Sequence, residues 1–144
     1  MNKQSKIIAI GVQILLGGLG YGAMELLFRG RTHISMLIAG GLCLPLLILI
    51  SKTRVTWPVQ SLYGAMLITA VEFTCGCVVN LWLKLGVWDY SAAPFNLLGQ
   101  ICAIFFVYWY LLCAIIMKLC HMYREEWGGH VGFLRRRRRM RAEE

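Results

Sequence analysis

The sequence predicts an all-α integral membrane protein: four transmembrane helices in an antiparallel up-down bundle, with both termini in the cytoplasm. Three observations predict it. The 144 residues are 58% hydrophobic, with a mean hydropathy of +0.62, whereas a soluble domain carries about 45–50% apolar residues. Four apolar runs divide the chain, each near the roughly 20 residues needed to cross a hydrocarbon core. Basic residues concentrate on one side of those runs, as the positive-inside rule requires.

The first element follows a short positive stretch, Met1 to Lys6. Its apolar run is too long for a signal h-region and has no small-x-small cleavage site, so it reads as a retained helix at about 7–28. The second helix is placed at about 34–51, where the interior Pro45 should kink it. The third covers about 59–84, with Pro58 suited to its first turn. The fourth covers about 96–121. Short connections between them make successive helices antiparallel neighbours. Residues 1–121 thus form the transmembrane domain and 122–144 a basic cytoplasmic tail. No internal repeat or coiled-coil heptad is visible.

Charge sets the orientation. With both ends inside, every Lys and Arg except Arg29, Arg31 and Lys84 falls on the cytoplasmic side. The tail carries Arg135, Arg136, Arg137, Arg138 and Arg139, a run expected to lie on the anionic inner leaflet. Each Arg there contributes on the order of 1 kcal/mol of attraction. A bare Arg run without an aromatic platform or a fold is a weak nucleic-acid signal, so no specific nucleic-acid partner is expected.

Chemistry of the catalytic or metal-bound kind finds little support. Cys43, Cys75, Cys77, Cys102, Cys113 and Cys120 all lie within or beside apolar spans, where Cys serves as a small hydrophobe. Cys75 and Cys77 are two apart and point about 200° away from each other on a helix, so they cannot share a metal. His33, His121 and His130 fall on both sides of the membrane. No metal, cofactor or enzymatic activity is expected. There is also no room for a nucleotide-binding domain, so any motor would be another chain.

Polar residues inside or beside the bilayer carry the functional interest. Glu72 sits near the middle of helix three, where an acidic side chain costs roughly 2.5–3.5 kcal/mol. Gly76 and Asn80 follow at four-residue steps on its face, forming a polar seam. Two roles are open to Glu72: a protonated acid bonded between helices, or a site that binds a proton or cation. Glu25 stands one turn before Arg29, the favourable order for an ion pair. Gly18 and Gly22 permit close helix approach.

Between helices three and four lies Val87 to Gln100, rich in Asp, Tyr, Ser, Asn and Gln. Under the predicted orientation it meets the outer face. Asn96 and Gln100 would face inward from the start of helix four, and Asp89 would neutralise Arg29 or Arg31. Trp82 and Trp88 suit the interfacial belt. The polar residues gather in the outer half, which favours an outward-facing polar pocket or a lateral binding face over a continuous aqueous pore.

The motifs Val87-Trp88-Asp89-Tyr90-Ser91, Pro94-Phe95-Asn96-Leu97 and Gly99-Gln100-Ile101-Cys102, with Val71-Glu72-Phe73, Gly76 and Asn80 upstream, form one pattern. It resembles the signature of the type IV ABC-transporter membrane proteins, the CmpB-like family. The stretch from Gly22 to Met36, through Gly40-Gly41-Leu42-Cys43, is similar to small four-helix members. The likeness runs from about Gly20 to Cys113 and leaves out the Arg tail. It implies that Glu25, Arg29, Glu72, Asp89, Asn96 and Gln100 matter. No Walker-type G-x-x-x-x-G-K-[ST] occurs in the chain.

The expected function is that of a small transporter or permease-like membrane subunit, acting as a homo-oligomer or beside a separate membrane or ATPase subunit. Glu72, Asn80, Asp89, Asn96 and Gln100 are its candidate substrate or ion-binding residues, and Glu25, Arg29 and Arg31 its structural ion pairs. The alternative is a non-transporting scaffold, sensor or holin-like protein, in which the polar seam is helix–helix glue.

Overall fold

The computed structural model describes residues 2–142, with side chains described for residues 2–123. Four helices carry the fold: α1 (Lys3–Arg29), α2 (Ile34–Ser51), α3 (Trp57–Gly76) and α4 (Ala103–Ala142). A π-helical turn, Cys77–Trp82, prolongs α3. Two short strands, β1 (Asn96–Leu97) and β2 (Ile101–Cys102), precede α4. Each of the four helical spans is long and apolar enough to cross a membrane. The protein is therefore an all-α membrane-spanning bundle.

Local chemistry sets the helix ends. The Asn2 side chain accepts from the Ser5 N–H at 2.8 Å and starts α1 four residues before the expected boundary. Gly30 ends α1 with a φ of 67°, its N–H bonded to the Leu26 carbonyl at 3.0 Å. His33 caps α2 by accepting from the Ser35 N–H through Nδ1 at 3.2 Å. Pro58 occupies the first turn of α3, where its missing N–H has no cost.

Packing is unequal around the bundle. The shared core lies between α2, α3 and α4, with Cys43, Leu47, Ala65, Ile68, Cys113 and Met117 buried together. By contrast α1 rests mainly on α2 and buries only Gly18, Gly22 and Glu25. Their backbones approach closely: a Cβ on Gly17 would stand 2.4 Å from the Gly40 carbonyl oxygen, and one on Gly18 2.7 Å from that of Leu37. Little contact joins α1 to α4, so a cleft separates them.

Three sequence expectations need correction. The fourth helix starts at Ala103, not Asn96; β1 and β2 pair antiparallel, Asn96 opposite Cys102 and Leu97 opposite Ile101. Phe95 and Leu98 take left-handed φ values of 53° and 52°, which no α-helix accommodates. The third helix ends at Trp82, not Lys84, because the chain turns at Lys84 (φ 54°) and Gly86 (φ 56°). Trp88 is not interfacial: it is 2% exposed and packs with Met36 and Val79, while Trp82 stays 77% exposed. The backbone of α4 runs on to Ala142, and the side chains of Arg135 to Arg139 lie outside those described.

Candidate functional site: a buried carboxylate under a latched loop

Glu72 lies on α3, about one turn before the π turn, and is 3% exposed. A carboxylate so placed must find donors, since none come from lipid. Both of its oxygens do. Tyr90 donates its hydroxyl to Oε1 at 3.1 Å, and Trp109 of α4 donates Nε1–H to Oε2 at 2.9 Å. The Tyr90 ring stacks on Phe105 with centroids 4.6 Å apart, and Tyr21 of α1 meets Trp109 at 5.7 Å. Burial, then the neighbouring Glu72 carboxylate, push the Tyr90 phenol above its ordinary range, so it donates at neutral pH.

Two turns further on, the π turn presents Asn80 to the loop. Its Oδ1 accepts from the Val87 N–H at 2.7 Å, and its Nδ2 donates to the Trp88 carbonyl at 3.0 Å and to Gln100 Oε1 at 2.8 Å. Gln100 is buried and returns a bond from Nε2 to the Leu98 carbonyl at 2.9 Å. The Trp88 indole donates to the Gln100 carbonyl at 2.9 Å. Gly76 gives these groups their room: a Cβ there would stand 2.6 Å from Gln100 Oε1 and 3.0 Å from Trp88. π turns widen a helix and recur at functional positions.

The loop tip closes on itself. Asp89 Oδ1 accepts from the Ser91 N–H at 2.8 Å and also from the Ser91 hydroxyl. These donors hold the Asp89 carboxyl below its usual range. Asn96 Nδ2 donates to the Ala93 carbonyl at 2.8 Å, and its Oδ1 accepts from the Gly99 N–H at 3.1 Å. Asp89 therefore does not neutralise Arg29 or Arg31: among the described residues the ion pair is Arg29 with Glu25, at 3.0 Å. Ser91, two residues along, satisfies Asp89 at far smaller entropic cost than a distant arginine would.

Glu25 closes the C-terminal end of α1. Its Oε1 accepts from Arg29 and its Oε2 from the Thr32 hydroxyl at 2.8 Å. Two cavities meet at this pair. One, of about 600 Å³, lies between α1 and α4 and is walled by Tyr21, Phe28, Phe105, Tyr108 and Trp109. The other, of about 270 Å³, has mixed walls, Arg31, Thr32 and His33 on one part and Leu85 and Val87 on another.

The residues singled out from sequence thus fall into three groups. Asn80 and Gln100 touch. Asp89 and Asn96 belong to the loop tip, both bonded to Ser91. Glu72 bonds to neither group's polar side chains but reaches the loop through Tyr90. Sequence reasoning missed Trp109, Trp88 and Tyr21 as partners. The available signal was the polar handle on each ring, which must find a partner once buried. Among the described residues no group of three His, Cys, Asp or Glu gathers to hold a metal ion.

No curated protein and no solved structure matches the chain. The family described as "Putative ABC-transporter type IV" matches residues 20–137, which takes in α2, Glu72, the latched loop and most of α4. Over that span the chain belongs to this family of ABC-transporter membrane proteins.

Proposed function

We propose that the chain is a small permease-like transporter subunit with a polar site facing the outer side, both termini being cytoplasmic. The helices run up and down in antiparallel order, which the short connections support. The pairing of Gly41 with Ile14, and of Leu37 with Gly22, supports it too, because the numbers fall along α2 as they rise along α1. It acts as a homo-oligomer or beside a separate ATPase subunit, since a four-helix chain has little interior for a pathway and carries no Walker motif. The Arg135 to Arg139 run holds the tail against the anionic inner leaflet.

The observation that carries the reading is the Glu72 carboxylate. It is buried on α3, tied at once to the loop through Tyr90 and to α4 through Trp109. A proton or cation arriving at Glu72 competes with those donors and so couples occupancy to the position of the loop. Asn80, Asp89, Asn96 and Gln100 would present the loop to substrate. Flux of protons or cations into proteoliposomes, compared between the native protein and Glu72→Gln, tests it. Flux that disappears in a variant with unchanged folding supports transport. No flux in either protein, with lower thermal stability in the variant, sinks it.

One observation favours a second reading, a non-transporting scaffold or sensor. Every described polar atom of Glu72, Asn80 and Gln100 already has a partner, as helix–helix glue requires. The stability outcome above belongs to that reading.

A further inference from the structure

Glu72 and the loop leave the cleft between α1 and α4 unexplained. We infer that this cleft is a binding site for a single-chain lipid phosphate, its chain between the helices and its phosphate beside Arg31. Binding there stands or falls independently of whether the chain transports anything.

The apolar part of the cleft has the size and depth of one chain. Its volume of about 600 Å³ lies in the range of small-molecule sites. Along α4 it extends from Phe105 to Ile115, about 15 Å at the helical rise. That is about half of a hydrocarbon core some 30 Å thick, the depth of a single leaflet. Its walls are Phe28, Tyr108, Trp109, Leu112 and Ile115, and it opens sideways because α1 and α4 barely touch. A chain can thus enter from the bilayer without crossing water.

The upper end supplies the headgroup chemistry. There the cleft shares Glu25 and Arg29 with the smaller cavity of about 270 Å³. Glu25 is already engaged by Arg29 and Thr32. Arg31 borders the same cavity, is exposed, and has no ion-pair partner among the described residues. The cavity therefore carries one uncompensated positive charge, with the Arg31 guanidinium free to take a phosphate through two parallel bonds. A neutral head would leave that charge unanswered, and a second chain would have no room.

The full-length protein in phosphatidylcholine nanodiscs is photo-crosslinked with oleoyl lysophosphatidic acid bearing a diazirine on its chain. Cross-links should map to Tyr21 to Arg29 and Phe105 to Ile115. Unlabelled oleoyl lysophosphatidic acid should compete, oleoyl glycerol about tenfold less well, and glycerol phosphate not at all; one lost charge-assisted contact is worth about that factor. Arg31→Gln should weaken the phosphate ligand about tenfold and leave oleoyl glycerol unchanged. Ile115→Trp, at a position 61% exposed and so tolerant of size, should fill the cleft and abolish labelling with an unchanged melting temperature. Leu111→Trp serves as the second filling variant. Labelling that persists in both filled variants, or equal competition by oleoyl glycerol, overturns the proposal and leaves ordinary boundary lipid.

Discussion

The Tyr90 hydroxyl donates to Glu72 Oε1 across 3.1 Å, pinning a loop outside the helices to a carboxylate buried on one. The contact sets which substitutions in this protein should be felt far from where they are made.

Tyr90→Phe removes that donor and keeps the stack on Phe105. The carboxylate is left one partner short in a buried site, so stability should fall by about 1–3 kcal/mol. Thermal unfolding in detergent measures this. A double-mutant cycle with Glu72→Gln should return a coupling above 0.5 kcal/mol, roughly the threshold for residues in contact. Additive effects would mean the bond contributes nothing.

Gly76→Ala should destabilise by about 1–3 kcal/mol, because its Cβ meets Gln100 and Trp88 and well-packed interiors do not yield. Gly20→Ala is the control: nothing lies within 4 Å of a Cβ there. Its melting temperature should hold or rise, since Ala favours a helix interior over Gly by up to about 1 kcal/mol. Equal effects at both sites would show that the loop does not press on α3.

The two neighbouring tryptophans should behave oppositely. Trp88→Ala empties a buried site and strips a donor from the Gln100 carbonyl, so a loss of about 3–5 kcal/mol is expected. Trp82→Ala, at an exposed position, should leave unfolding in detergent unchanged. Proteolysis within residues 83–102 should accelerate for the first variant alone.

Acid should loosen the loop tip through Asp89. Its folded carboxyl is held below the ordinary value by the two Ser91 donors. Stability from that group is therefore complete above the unfolded value of about pH 4 and is lost as pH falls through the lower folded one. Ser91→Ala should raise the Asp89 titration midpoint towards about 3.9, read by NMR of a carboxyl-labelled sample. An unmoved midpoint would show that Ser91 does not hold the carboxylate.

Much of the architecture was legible because a bilayer permits so few solutions. Apolar length alone marks four spans, and the motif from Val87 to Cys102 carries the family likeness. The loop itself was not legible. Leu97, Leu98, Ile101 and Cys102 run straight into the apolar face of α4, so periodicity extends the helix to Asn96. What breaks it is a pair of left-handed residues, Phe95 and Leu98, whose types give no warning. Gly99, with a φ of 68°, was the single cue. The polar residues of the site were visible as types, but their partners were rings on other elements. Trp109 is 37 positions from Glu72, and no local spacing links them.

Where α1 meets α2, backbone lies against backbone at Gly17, Gly18 and Gly40. The seam is keyed as well as close: Tyr21 sits over Gly40, Leu37 over Gly22 and Ile14 over Gly41, so large side chains occupy the places that the glycines leave open. Such a fit admits one register of α1 on α2. Tyr21 belongs both to this seam and to the ring contact with Trp109, which also holds Glu72. The register of the first helix pair therefore reaches the buried carboxylate through two rings.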